Sequence, residues 1–191
     1  MIRAYRSDDE TAVREVVTTA FGEQGAKVAA LVDDLRATHG RAELVAQGGR
    51  PDEETVVGHV LLSRSWVDAR QALVEVLVLS PLSVAPDHQG RGVGTALVAA
   101  AIGEARRLGA PALFLEGSPA YYGARGFEAA TPRGFTRPSV RVPEPAFQVA
   151  TLAGHEEWMT GALVYCEPFW AHDSVGLRDP ELTQIEQMFE S

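Results

Sequence analysis

The stretch Val84-Ala85-Pro86-Asp87-His88-Gln89-Gly90-Arg91-Gly92-Val93-Gly94-Thr95 places glycine at three alternate positions, between an apolar run and a segment of helical periodicity. Glycine disfavours the start of a helix unless the bare backbone has a task, because it loses the most conformational freedom on folding. Three anion-binding designs compete for the stretch. A Walker A loop needs lysine and then serine or threonine after its last glycine, and Gly94-Thr95 has no lysine. A dinucleotide fingerprint needs two residues between its second and third glycines, whereas Gly92-Val93-Gly94 has one. The spacing Gln-x-x-Gly-x-Gly is met by Gln89-Gly90-Arg91-Gly92-Val93-Gly94. The remaining alternative is a tight strand-to-helix turn with no ligand. Three glycines and Arg91 in one loop weigh against it.

Such a loop presents successive backbone N–H groups at a helix N-terminus, where unpaired amides and the positive dipole end favour a pyrophosphate. Glycine at 92 and 94 lets phosphate oxygens reach the backbone and lets the helix pack close to a sheet. Arg91 and Thr95 add a charge and a hydroxyl.

Working outward, Leu97, Ala101, Ala105 and Leu108 form one face of the following helix, with Val98 and Ile102 beside them and Gly109 closing it. Upstream, the strand-like run from Ala72 to Leu79 is interrupted by Ser80-Pro81 and resumes at Leu82-Ser83-Val84. A proline there removes a ladder hydrogen bond and predicts a bulge or a splay. Downstream, Leu113-Phe114-Leu115 reads as a short buried strand, Pro119 to Arg125 as one or two helical turns, and Gly126-Phe127 as the entry to another strand.

The N-terminal half predicts a strand at Ile2 to Arg6 and a capping box at Ser7-Asp8-Asp9-Glu10. A helix burying Val13, Val16, Val17 and Phe21 follows, and then a second from about Ala26 to Thr38. Strands at Glu43–Ala46 and Thr55–Leu62 are joined by a turn through Gly48-Gly49-Arg50-Pro51-Asp52. Past Thr131 the chain is proline-rich. Closing strands fit Phe147–Leu152 and Ala162–Tyr165, with a terminal helix at Leu182–Phe189. The order implies an α+β fold: a mixed, mostly antiparallel sheet flanked by helices, with one strand–helix–strand crossover.

Composition narrows the partners. The chain has 191 residues and a net charge of −9, from 17 basic and 26 acidic side chains. A field of that sign disfavours nucleic acid and anionic membrane. No run is long enough to span a bilayer, and MIRAYRSDDETAV lacks the order of a signal peptide. With one cysteine, Cys166, neither a disulfide framework nor a Cys-rich zinc site is expected. The expectation is a cytoplasmic protein without a metal.

Leu82-Ser83-Val84-Ala85-Pro86 followed by Gln89-Gly90-Arg91-Gly92-Val93-Gly94 resembles the acetyl-CoA-binding core of the GNAT superfamily of N-acetyltransferases. Tyr121-Tyr122-Gly123-Ala124-Arg125-Gly126-Phe127 is similar to that family's Tyr-x-x-x-Gly-Phe element, in matching order and separation. The resemblance is specific from about Leu73 to Glu128. It implies one acetyltransferase domain over residues 1–150 and an extension over 151–191 packed on it, as in a bacterial subgroup with a similar tail.

The resemblance further implies central strands that splay to admit the pantetheine arm of acetyl-CoA at Leu82, Ser83 and Val84. The Val84 amide then faces the thioester carbonyl, and the pyrophosphate lies on Gln89, Gly90, Arg91, Gly92, Val93, Gly94 and Thr95. Tyr122 takes the place of the general acid that protonates the departing thiolate; its other reading is a core residue with a satisfied hydroxyl. Ser118 stands in for the asparagine that many members carry near the cofactor arm. For the base, Glu75 and Glu116 are the candidates, each open to the plainer reading of a solvated or paired carboxylate. The lone histidines His59 and His88 are not assigned, and His88 is expected to face solvent. Cys166 has no partner motif and is not read as a nucleophile. The extension either covers the acceptor site or forms a homodimer surface, and its Trp158, Phe169 and Trp170 line a pocket or, in the plainer reading, pack in the core. Transfer to a small-molecule primary amine is the leading reading, and a non-catalytic acyl-CoA-binding sensor is the alternative.

Overall fold

The structure is a computed structural model that describes residues 1–48 and 55–190. The predicted turn through residues 49–52 lies outside the described residues. The chain divides into two compact units, one of residues 1–63 and 79–107, the other of residues 64–78 and 108–191.

In the first unit, β1 (Ile2–Ala4) pairs antiparallel with β2 (Gly40–Gly48), and β2 with the first part of β3 (Thr55–Ala69). Between β1 and β2 stand α1 (Glu10–Phe21) and α2 (Gly25–Thr38). Val13, Val17, Ala29, Val32 and Val45 form one cluster under these helices. Burying each such valine contributes about 1.5–3 kcal/mol. The predicted serine cap is absent. Ser7 opens a 3₁₀ turn (Ser7–Asp9), and Asp9 does the capping by accepting from the Arg6 amide at 2.8 Å. Two bonds from Arg3, of 2.6 and 2.7 Å, hold the Asp9 carboxylate there and keep its pKa below the ordinary value. Phe21, expected in the core, is exposed at the end of α1.

In this unit, β4 (Leu73–Val84) leads into α3 (Val93–Arg107), as the periodicity predicts, with Leu97, Val98, Ala101 and Ala105 buried. Leu108 falls just past the helix and is exposed. The Ser80-Pro81 interruption is a cis peptide within β4. β3 and β4 are hydrogen-bonded neighbours that run through both units.

In the second unit, the start of β4 pairs in parallel with β5 (Ala112–Glu116), Leu77 opposite Leu113 and Val78 opposite Phe114. This is the expected crossover. β5 and β6 (Glu128–Ala129) both pair antiparallel with β8 (Phe147–Thr151), and the end of β3 with β9 (Gly161–Val164). A strand the sequence did not reveal, β7 (Phe135–Thr136), runs parallel to β9. Phe114 packs edge-on against Phe135 at 4.9 Å and stacks on Phe147 at 5.8 Å, which fixes β5 in an aromatic core. Short helices α4 (Pro119–Gly123) and α5 (Glu167–Ala171) and the terminal α6 (Glu181–Glu190) complete the unit. The result is α+β, with mostly antiparallel pairing flanked by helices. Among the described residues no helix is long and apolar enough to cross a membrane.

Candidate active site

The glycine stretch forms the link between β4 and α3 in the first unit. Pro86–His88 make one 3₁₀ turn, and Gln89 through Gly92 stand exposed. Gly90 and Gly92 have φ of +70° and +84°, in the left-handed region that other residues adopt only at a cost. A Cβ at either position would meet nothing within 4 Å, so the reason for glycine is backbone shape and an open approach. The Ala96 amide, bonded to the Gly92 carbonyl at 3.0 Å, begins the helical ladder, and the first-turn amides before it point out of the helix end. This arrangement fits a pyrophosphate. Val93 and Gly94 are half-buried in the first turn, whereas Arg91 and Thr95 are exposed.

The Gln89 side chain bends back, its Nε2 donating to the Val84 carbonyl at 3.0 Å. That bond ties the loop to the end of β4. Leu82 and Val84 are half-buried there, while Ser83 is only 2% exposed and its buried Oγ has no hydrogen-bond partner. His88 is half-buried rather than solvent-facing, its ring lying near Gly48.

Gly58 on β3 is a position that sequence reading passed over. A Cβ there would lie 2.9 Å from Leu97 Cδ1, 3.1 Å from Val93 Cγ1 and 3.3 Å from Ala46 Cβ. The first turns of α3 therefore rest directly on the β3 backbone, and the signal was a lone glycine inside a strand pattern. Gly58→Leu should destabilise the chain by about 1–3 kcal/mol through overpacking. It should also weaken acetyl-CoA binding by displacing the loop, measured as a lower Tm together with a raised Kd in calorimetry.

In the second unit, Ser118 caps α4, its Oγ accepting from the Tyr121 amide at 3.3 Å. The cap and Pro119 at the first position set the helix that carries Tyr121 and Tyr122. The Tyr122 ring lies so close to the Gly117 backbone that a Cβ at 117 would be 2.4 Å from its Cε2. Tyr121 and Phe127 meet the ring edge-on at 4.9 and 5.8 Å. Burial, helped by Tyr121 and opposed by Arg125, pushes the Tyr122 hydroxyl up to about 12. Arg125 stacks over the Tyr121 ring at 3.6 Å and donates to the Tyr121 carbonyl, stiffening the same turn.

The two carboxylates differ sharply. Glu75 is exposed on β4 and stands 3.9 Å from Arg64. Glu116, at the end of β5, accepts from the Tyr165 hydroxyl at 2.8 Å and from the Gly176 amide at 3.0 Å. One oxygen thus holds Tyr165, just past β9, and the other the segment before α6. Burial raises the Glu116 pKa, and both hydrogen bonds oppose that rise. A raised folded pKa means stability that is present in full below the ordinary 4.5 and is lost as pH climbs through the folded value. Glu116→Ala strands two donors at about 1–3 kcal/mol each. The destabilisation should be larger near pH 5 than near pH 8 in thermal melts.

Phe169 is buried and Trp170 exposed in the extension, so the aromatic residues there divide between core and surface. Cys166 is buried, and burial pushes its thiol up to about 11, which leaves it protonated and unreactive at neutral pH. Among the described residues no group of three or more His, Cys, Asp or Glu is placed to hold a metal ion.

Residues 11–128 match the family model described as the acetyltransferase (GNAT) family. The chain is 30% identical over 166 residues to the uncharacterized N-acetyltransferase YjhQ of Escherichia coli strain K12, which covers 84% of this chain and 88% of that protein. Among solved structures it is similar to the GNAT family N-acetyltransferase YhbS of Escherichia coli in complex with CoA. That match has a TM-score of 0.77 and 29% identity, and covers 88% of this chain and 91% of that one. It is also similar to a GNAT family acetyltransferase of Brucella melitensis in complex with acetyl-CoA, with a TM-score of 0.69 and 28% identity over 88% of this chain and 97% of that one. The glycine loop before α3, the tyrosine turn at α4 and these likenesses agree: the chain belongs to the GNAT family of acetyltransferases, as an acyl-CoA-dependent N-acetyltransferase.

Proposed function

We propose that the chain transfers the acetyl group of acetyl-CoA to a small primary amine by direct attack, without an acyl-enzyme. The observation that carries this reading is the pair of positive-φ glycines in front of the first turn of α3, an open cradle of backbone amides that fits a pyrophosphate. The CoA complexes of the two solved relatives support acetyl-CoA as the cosubstrate. Gln89 to Thr95 hold the phosphates, and the strand Leu82–Val84 takes the pantetheine arm. The Val84 amide steadies the negative charge that develops on the carbonyl oxygen.

Acetyl-CoA supplies an acetyl thioester, whose leaving group is a fair one. Tyr122 keeps its proton at neutral pH and gives it to the departing sulfur. The protonated, buried Cys166 supports a sequential reaction with both substrates bound. Glu116, with each oxygen already accepting a hydrogen bond, serves as an anchor, and Ser118 serves through the helix it caps.

A thiol-release assay with acetyl-CoA and a panel of small primary amines tests the proposal. Turnover with at least one amine is expected. Saturable acetyl-CoA binding without turnover on any amine would favour a sensor instead.

A further inference from the structure

A proton donor acts only within hydrogen-bond reach, so the Tyr122 hydroxyl of the proposed transfer has to be aimed. The helix that carries it, α4, is five residues long and too short to hold itself in place. The contacts on the ring are packing contacts: Tyr121 and Phe127 edge-on, and the backbone of Gly117. Three ring carbons lie within 3.4 Å of where a Cβ on Gly117 would stand. The ring therefore rests where Gly117 lets it rest.

Gly117 lies one residue past β5, where the chain leaves the sheet for α4. Its amide donates to the Ala146 carbonyl at 3.0 Å, which continues the β5–β8 ladder by one step. In an antiparallel ladder the two residues of such a pair exchange both bonds, so the Ala146 amide is expected to donate back to the Gly117 carbonyl. It turns away instead. The Ala146 amide bonds the Pro143 carbonyl at 2.9 Å, as part of the 3₁₀ turn Glu144–Ala146. A side chain supplies the missing donor: Nε2 of Gln148 bonds the Gly117 carbonyl at 3.0 Å.

Gln148 is 1% exposed and stands on β8 between buried Phe147 and Val149. Leu115 of β5 pairs with it on one side and Ala129 of β6 on the other. A carboxamide in such surroundings costs stability unless its hydrogen bonds are met, and an apolar side chain carries no such cost. The bond it makes goes to the one peptide that both ends β5 and supports the Tyr122 ring.

We infer that Gln148 is a positioning residue for the proton donor, a role that rests on Tyr122 being the general acid of the proposed transfer. The carboxamide fixes the Gly117 peptide, that peptide fixes the Tyr122 ring, and the ring carries the hydroxyl to the departing sulfur. Gln148 moves no proton itself. The Ser118 cap and Arg125 act elsewhere, on the start of α4 and on Tyr121. Without the Gln148 bond the Gly117 carbonyl loses its donor, the peptide turns, and the ring turns with it. The hydroxyl then keeps its chemistry but loses its aim. Misplacing a reacting group by about 1 Å is enough to cost about 10²-fold in rate.

The test is kcat at saturating acetyl-CoA, with the amine that the thiol-release panel identifies, for wild type, Gln148→Met, Tyr122→Phe and the double variant. Methionine keeps the length of the side chain and suits a buried site, but it has no donor. Gln148→Met should lower kcat about 10- to 10²-fold, with the acetyl-CoA Kd unchanged in calorimetry. In the Tyr122→Phe background the same substitution should change kcat by less than about twofold, because the hydroxyl it aims is already gone. A purely structural role would cost the same in both backgrounds. In wild type the side-chain amide protons of Gln148 should exchange slowly with solvent, a readout that needs no variant to fold. Equal losses in the two backgrounds, a wild-type kcat in Gln148→Met, or fast exchange of those protons would overturn the positioning role and leave the acetyl transfer and Tyr122 intact. A wild-type kcat in Tyr122→Phe would remove the general acid, and the role of Gln148 with it. Wild type that turns over no amine would remove the transfer itself.

Discussion

Tyr122→Phe should lower kcat by about 10²- to 10⁴-fold, the range for loss of a positioned proton donor. The acetyl-CoA Kd should hardly change. The ring stays in its aromatic bracket of Tyr121 and Phe127, so the substitution removes a hydroxyl and little else. The same loss should follow from a residue that touches no substrate. Gly117→Val puts a side chain where the Tyr122 ring now lies, with Cε2 and Cδ2 at 2.4 and 2.8 Å from the new Cβ. The ring must swing away, and kcat falls although the hydroxyl is still present. Because burial lifts the Tyr122 hydroxyl to about 12, the phenol remains protonated throughout the workable range. No alkaline loss of rate from Tyr122 is therefore expected below about pH 11. Stopped-turnover kinetics at saturating acetyl-CoA measure all three outcomes. A Tyr122→Phe variant with wild-type kcat would remove the general acid and leave the rest standing.

The second large effect concerns binding. Replacing Gly90 and Gly92 together by alanine should raise the acetyl-CoA Kd by about 10²-fold or more. Each substitution forces an L-residue into the left-handed region at about 1–2 kcal/mol, and about 1.4 kcal/mol is tenfold in Kd. The chain avoids that strain by relaxing the loop, which turns amides away from the phosphates. The space around both glycines is open, so nothing clashes, and Tm should fall far less than affinity does. Calorimetry with acetyl-CoA, paired with thermal melts, separates the two.

The parts of this architecture that sequence made legible share a physical property: they are written locally. The α3 face repeats at helical intervals, the glycines declare their own backbone geometry, and Pro119 marks the start of a short helix. Hidden were features that depend on partners far along the chain. From sequence Glu116 is a candidate base or an ordinary carboxylate, and only the fold shows Tyr165 and Gly176, 49 and 60 residues away, occupying its two oxygens. The expected Ser7 cap lost to Asp9 because Arg3 fixes that carboxylate, and β7 is too short to carry any alternation. His59 looked like a lone histidine on an apolar strand. Its partner Glu43 is 16 residues away and reaches it only through the β2–β3 pairing. Gly58 and Gly117 gave a signal, a glycine where a pattern called for a side chain, but not the identity of what needed the room.

The most direct measurement is a calorimetric titration of acetyl-CoA into the wild-type chain and into the Gly90/Gly92 double alanine variant. A saturable isotherm for one site per chain is expected in wild type, weakened by about two orders of magnitude in the variant. Absence of binding to wild type, or equal affinity in the two, would contradict the assignment of this loop as the cradle for the pyrophosphate.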